Sequence, residues 1–184
     1  MCRRQATPYI LTNVRVGLVL RQLLAVLLLP GLVAGVAPAW IRTVQRAGDS
    51  RWLDDSWLGW VARAGSFVVI AAGFTLAAWC VALFVHVGQG TLAPWDPTRR
   101  LVAVGPYRYV RNPMIAGVAL LLAGQALWAG SWKLAIWLAA FVVVNHVYFL
   151  VVEEPGLAAR FGQSYREYAA HVPRWIPRRT PWDE

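Results

Sequence analysis

Four long apolar stretches, separated by shorter polar ones, organise the chain. The first spans 16–41 and carries no charge from 23 to 41; at 1.5 Å per residue that part alone reaches about 28 Å, enough to cross a bilayer core. Pro30, Gly31 and Pro38 predict kinks in this helix rather than its end. Arg21 can snorkel from one end, and Trp40 fits the interface. The second stretch spans 57–87, uncharged from 64 to 85, with Trp57 and Trp60 at its start and His86 at its end. From 114 to 152 the chain is predominantly apolar, with its one break at Ala129-Gly130-Ser131-Trp132-Lys133. That length is too great for one span and is punctuated where a turn is needed, so it reads as a helical hairpin of 114–129 and 133–152. The first arm, about 24 Å long, is short and expected to tilt. Beyond 152 the pattern becomes amphipathic: Leu157, Phe161, Tyr165, Tyr168 and Val172 recur on one face, with Arg160, Gln163, Arg166 and Glu167 on the other. A helix over 153–172 is expected, at the interface or against the bundle. Pro173, Pro177 and Pro181 then exclude regular helix, leaving an extended basic tail in which Trp175 and Trp182 suit headgroups.

The composition agrees with a membrane reading. Hydrophobic residues make up 58% and charged residues 15%, and the mean hydropathy is +0.47, which excludes an ordinary soluble globule. The length fits a single domain over 1–184. The expected class is all-α, an integral membrane bundle of about four transmembrane helices with a C-terminal amphipathic helix. A net charge of +9 is read as facing anionic lipid headgroups, not nucleic acid. Cys2 and Cys80 have no partners at disulfide or zinc spacing, and no metal is expected. The first 22 residues do not read as a cleaved signal. Arg3, Arg4, Arg15, Arg99, Arg100, Arg108, Arg111, Arg160, Arg166, Arg174, Arg178 and Arg179 fall on one side, against Arg42, Arg46, Arg51 and Lys133 on the other. This bias places both termini in the cytoplasm, in a bacterial inner membrane.

Two polar regions on that side carry the candidate chemistry. The first is the loop 88–113, long for a connector and rich in Gly, Pro and Arg. Gly88 and Gly90 flank Gln89; two glycines allow close approach of a ligand to the backbone and equally allow a helix to stop. Asn112 and Pro113 occupy N-cap-like and N1-like positions beside Arg111. Such a helix start can receive a carboxylate or phosphate, or can be a capped helix whose arginine anchors in headgroups. The second region is Asn145, His146, Glu153 and Glu154. Seven residues separate His146 from Glu153, placing them on one helix face and able to line one pocket. The two glutamates either serve a ligand or sit at the bilayer edge, pairing with Arg160 or Arg111.

The segment GPYRYVRNP at 105–113, the apolar hairpin, and EEPGLAARFGQSYREYAAHVPRWIP at 153–177 together resemble the superfamily of isoprenylcysteine carboxyl methyltransferases and phospholipid methyltransferases. The likeness covers about 88–177. It implies an integral membrane enzyme that uses S-adenosyl-L-methionine in a pocket near the cytoplasmic face, with a lipid or lipidated small molecule as methyl acceptor. By position it implies Gly88, Gln89 and Gly90 as the cofactor's glycine motif. It puts Leu101, Val102 and Tyr107 along the adenosyl pocket, Arg111, Asn112 and Pro113 beside the methionyl end, and Glu153 and Glu154 as paired cofactor-binding acids. Ile115 stands where the signature usually has tyrosine. Phe149 stands where the carboxyl methyltransferases have an arginine for the substrate carboxylate, which weakens the prenylcysteine reading. Catalytic roles fall to Arg111, Glu154 and His146, the latter two as proton-handling groups should the acceptor be an amine. Carboxylate, phospholipid amine and hydrophobic thiol acceptors all stay open, as does the oligomeric state.

A membrane reductase related to sterol reductases is the nearest rival, with Arg99 and Arg100 as possible partners for the extra phosphate of NADPH. The paired glutamates suit a cationic sulfonium better than a polyanion. A non-enzymatic scaffold or small transporter is the third reading, and it leaves the polar loop unexplained.

Overall fold

A computed structural model describes residues 27–44, 52–89 and 98–183, and every regular element among them is a helix. Helix α1 begins in π geometry over Leu27–Val36 and continues as Ala37–Thr43; the earlier part of the expected first span, 16–26, lies outside the described residues. Helix α2, Trp57–Leu83, ends in a π turn, Phe84–Gly88. A 3-10 turn, Gly105–Arg108, leads into α3, Pro113–Ala129. Helix α4, Trp132–Tyr148, passes through a π turn, Phe149–Glu153, into α5, Glu154–His171.

The hairpin expected over 114–152 is present, with its turn at Gly130 and Ser131. Ser131 Oγ caps α4 by accepting from Leu134 N at 3.5 Å, and Ser56 Oγ caps α2 by accepting from Gly59 N at 3.2 Å. Trp52 N donates to Gly130 O at 3.0 Å, tying the entry to α2 onto the hairpin turn.

Helices α2 and α3 form the central pair. Gly59, Ser66, Gly73 and Cys80, seven residues apart, are the buried positions of α2. A Cβ at Gly73 would lie 2.7 Å from Gly117 O, and one at Gly117 would lie 2.9 Å from Ala77 N. The two backbones therefore touch. Lipid supplies no hydrophobic drive for helix association, so close van der Waals contact along such small-residue seams holds membrane helices together. The large side chains point outward: Phe67, Val68 and Phe74 on α2, and Ile136, Val143 and Val144 on α4 are exposed, as expected of surfaces that face acyl chains.

Pro38 would leave carbonyls unpaired in α1, because it has no N–H to donate. Gln125 Nε2 donates to Ala34 O at 2.8 Å and Trp137 Nε1 donates to Val33 O at 3.1 Å. These are the carbonyls four and five residues before the proline, the two that an α or a π register would have bonded to it. Polar groups on α3 and α4 thus repair α1.

Two helices, Trp57–Gly88 and Trp132–His171, are long and apolar enough to cross a membrane, while Pro113–Ala129 is shorter. Trp132–His171 has 40 residues, about 60 Å of helix and twice the thickness of a hydrocarbon core. Its exposed apolar side chains run to Val152, so the spanning part ends there and Glu153 opens the part beyond. The separate amphipathic helix expected over 153–172 is instead continuous with the last span. The π turn lies just before Pro155, whose ring and missing N–H do not fit an unbroken α ladder. The bend comes later, at Gly162, with φ 58° and ψ −125°, a conformation in practice open only to glycine.

The expected apolar face of α5 is real. Tyr165, Tyr168 and Val172 are buried, with Leu157 and Phe161 packed beside them. Trp182 belongs to the same cluster, 5.5 Å from Tyr168 and edge-on, so it is a core residue and not the headgroup anchor its place in the tail suggested.

The α2–α3 contact generates a prediction. Gly73→Ala should lower stability in detergent by about 1–3 kcal/mol through overpacking, while Gly65→Ala, whose Cβ meets nothing within 4 Å, should be neutral or slightly stabilising. Equal thermal losses at the two sites would show that the seam does not hold the pair.

Candidate functional site

The loop after α2 folds back onto the helix end. Gly88 O accepts from Arg99 N at 2.8 Å and from Arg100 N at 3.3 Å, and a Cβ at Gly88 would meet the Thr98 methyl at 2.6 Å. Only glycine allows this return. Gln89 adopts the left-handed conformation, φ 52°, which stops the helix. Val102 and Tyr107 then pack onto Cys80, with Met114 beside them, and Tyr168 Oη donates to Tyr107 O at 2.7 Å. Asn112 and Pro113 do occupy the N-cap and N1 positions of α3, but the Asn112 side chain makes no capping bond.

The tail lies alongside the same loop. Arg111 N donates to Pro173 O at 2.9 Å, Arg178 N to Tyr109 O at 3.0 Å and Trp182 N to Arg108 O at 3.0 Å. Arg108 Nε donates to Trp182 O at 2.8 Å and pairs with Asp183. This places Arg174 across from Arg111, with Glu154 between them. Arg174 Nε and Nη2 donate to the two Glu154 carboxylate oxygens at 2.7 and 2.9 Å, and Arg111 Nη1 donates to Oε1 at 3.1 Å. Burial raises the proton affinity of Glu154, but the hydrogen bonds from Arg174 and the charges of Arg111 and Arg174 outweigh it and hold the carboxyl below its usual range. Glu154 is therefore locked as a carboxylate.

Its neighbour is the opposite case. Burial, aided by the Glu154 charge, pushes the Glu153 carboxyl up to about 7, with Arg160 offsetting part of the shift. No hydrogen bond ties Glu153 among the described residues. Arg111 Nε is also buried and without a partner, an orphan that folded proteins seldom leave unless a ligand or water serves it.

These groups enclose a cavity of about 80 Å³. Of the residues nominated from sequence, Leu101, Val102, Tyr107, Arg111, Asn112, Glu153 and Glu154 line it. Gly88, Gln89, Pro113, Ile115 and His146 do not, and Gly90 lies outside the described residues. Sequence reasoning missed Phe84, Thr98, Phe149, Leu157, Tyr165 and Tyr168 in the lining, and Arg174 in the ion cluster. Arg174 carried one usable signal: it follows Pro173 directly after an amphipathic helix, in a stretch that cannot be helical.

The expectation that His146 and Glu153 share a face is corrected. The π turn takes up one extra residue, so Glu154, eight residues on, comes into line with His146. His146 Nδ1 accepts from Trp175 Nε1 at 3.1 Å, facing the tail. Trp175, expected at headgroups, is half-buried in this contact. Asn145 is occupied within its own helix, donating to Phe141 O at 2.8 Å.

The described residues form an all-helical structure with two helices long and apolar enough to cross a membrane and a cluster of opposed charges at one end. Residues 61–164, more than half of the chain, match the family model for phospholipid methyltransferase, and the protein belongs to that family of methyltransferases. The matched region holds all but the first turn of α2, then the loop, α3, α4 and the start of α5; Arg174 and the tail lie beyond it. No curated protein and no solved structure matches the chain.

The two glutamates predict a pH dependence of known sign. With its carboxyl raised to about 7 from an ordinary 4.5, folded Glu153 binds more protons than the unfolded chain between those values, so its contribution falls as pH rises through that window. Glu154, depressed, acts only below its ordinary range. The thermal midpoint should thus contain a component that drops between pH 5 and pH 8 and disappears in Glu153→Gln. A slope unchanged by that substitution would put the Glu153 carboxyl in water.

Proposed function

We propose that the protein is an S-adenosyl-L-methionine-dependent methyltransferase of the membrane, acting on a lipophilic acceptor, with the cofactor seated between the loop, the start of α3 and the π turn before α5. The observation that carries this reading is the pairing, in one cavity, of an orphaned guanidinium nitrogen on Arg111 with an unpaired carboxyl on Glu153. A methionyl end is a zwitterion and asks for one of each.

The donor set fits that group. Arg111 Nε and the N-terminus of α3 suit a carboxylate, and Glu153 suits an ammonium. Leu101, Val102 and Leu157 offer apolar walls for a purine. Gly88 shapes the loop that carries Leu101 and Val102, and Gly90 is read as part of the same cofactor motif. The volume is smaller than such a ligand needs, since small-molecule pockets run to about 300 Å³ and more. Binding therefore moves the walls. When bound, the sulfonium supplies an already activated methyl group, so the chain's task is to align the acceptor and exclude water. Glu154, held by two arginines, positions Arg111 and is a poor proton acceptor; His146 positions the tail through Trp175. Ile115 is assigned to packing.

The bundle is read as four helices in one domain, the first including 16–26, with both termini and the pocket on the cytoplasmic side of a bacterial inner membrane. A phospholipid amine is the acceptor that fits best with the family and with Phe149 in the lining, where no arginine awaits a substrate carboxylate. The reductase alternative finds less support: Arg99 and Arg100 are exposed and do not line the cavity.

Thermal unfolding in detergent tests the reading. S-adenosylhomocysteine at a hundred times its Kd should add about 2.7 kcal/mol, a rise of roughly 5–10 °C for a chain of this length. NADPH should add nothing, and Arg111→Ala should abolish the rise. Stabilisation by NADPH alone, or by neither ligand, would reject the proposal.

A further inference from the structure

A second and larger space lies at the other end of the bundle. Between the end of α1, the start of α2 and the end of α3 there is a cleft of about 800 Å³. It is separated from Asn112 by the length of α3, about 25 Å, and shares no residue with the Arg111 cavity. Its walls are partly apolar, with Ala39, Ala64 and Phe67 among them. Trp60 and Phe67, 63% and 60% exposed, stand on the lipid-facing side of α2.

Two arginines dominate its chemistry. Arg42 lies over the Trp128 ring, 4.8 Å from its centroid, and Arg63 over the Trp60 ring at 4.9 Å. The ring face attracts each guanidinium and takes up none of its N–H groups in a conventional hydrogen bond, so they can fork onto an oxyanion. Arg63 Nη1 also pairs with Asp55 at 3.1 Å. No described carboxylate pairs with Arg42. The described side chains that line the cleft therefore carry two positive charges and one negative.

Simple snorkelling fits Arg42, which is exposed, but does not account for Arg63. A snorkelling side chain puts its charge in water, yet the Arg63 side chain is only 17% exposed, while its partner Asp55 is 90% exposed. The arginine is the buried member of the pair, and a well-hydrated carboxylate compensates it poorly.

We propose that this cleft seats the phosphodiester headgroup of a glycerophospholipid, one negative charge held between Arg42 and Arg63. The charge balance matches a phosphodiester. The apolar walls continue toward the lipid-facing surface, where acyl chains lie, so a membrane lipid is favoured over free phosphate. The site is independent of the methyl-transfer reading and lies too far from Arg111 to be the acceptor's position.

Native mass spectrometry of delipidated protein in detergent tests it. Phosphatidylglycerol should give a one-to-one adduct, and diacylglycerol with the same acyl chains should not. The double variant Arg42→Gln, Arg63→Gln should lose the adduct at least tenfold, with its helix content checked by circular dichroism. Asp55→Asn, which removes the competing carboxylate, should hold the lipid at least as well as the native chain and keeps the test open if the double variant misfolds. An adduct unchanged in the folded double variant, equal binding of diacylglycerol, or a weaker adduct in Asp55→Asn would each overturn the assignment. Displacement of the lipid by millimolar inorganic phosphate would move the site's ligand from the membrane to solution and overturn it as well.

Discussion

One carboxylate held by two guanidiniums organises the functional end of this protein. Glu154 receives Arg174 through two parallel bonds and Arg111 through a third, and each partner comes from a different segment: the start of α5, the proline-bounded tail and the turn before α3. A buried ion pair is stabilising only when its geometry is good and its remaining polar atoms are served. Glu154 meets that condition on both oxygens. Arg111 does not, because its Nε is left over. The cluster thus fixes the arginine and leaves part of it unspent, and it draws compensation away from Glu153, which shares the cavity and has no such bonds.

Much of this end was legible in the sequence because its signals are local. The proline after Asn112 starts a helix, the hairpin turns at its polar interruption, and the spacing of Leu157, Phe161, Tyr165, Tyr168 and Val172 marks a buried face. The Arg111–Glu154 pair was one of the two partnerships open to the glutamates. What escaped depends on register or on distance along the chain. A π turn shifts the helix phase without any residue type that announces it, so Glu154 and not Glu153 came into line with His146. Arg174 and Trp182 are placed by a tail whose backbone bonds, at Pro173, Arg178 and Trp182, run to residues over sixty positions earlier, which no periodicity reports. The glycine, serine and cysteine seam of α2 reads as featureless in a hydropathy plot, because small residues add little to the apolar signal while deciding where backbones can touch.

The fold upstream serves the same requirement that polar atoms be satisfied away from water. Pro38 would orphan carbonyls in α1, and Gln125 and Trp137, polar side chains on otherwise apolar helices, meet the two at risk. That repair ties α1 to both arms of the hairpin. The α2–α3 seam then fixes the hairpin against α2, whose far end carries the loop with Val102 and Tyr107. The position of Arg111 is thus set from two directions, by α3 below it and by the tail beside it.

On the proposed reading, this construction explains how a cavity of about 80 Å³ could admit a larger ligand without leaving a buried charge stranded. Removing one partner from a buried ion pair is costly because the other is left unpaired. At Arg111 the arriving group is itself a carboxylate that meets the unserved Nε, so any hold on Glu154 that loosens is replaced by another anion. Glu154 meanwhile keeps its two-bond contact with Arg174, the stronger of its attachments. Glu153 gains the cation that Arg160 supplies only in part. Opening therefore trades like for like at each charged centre, and the remaining expense is the movement of apolar walls. A site built around a single arginine and a single acid would have had no such exchange available, since a carboxylate that lost its only partner would pull the wall back.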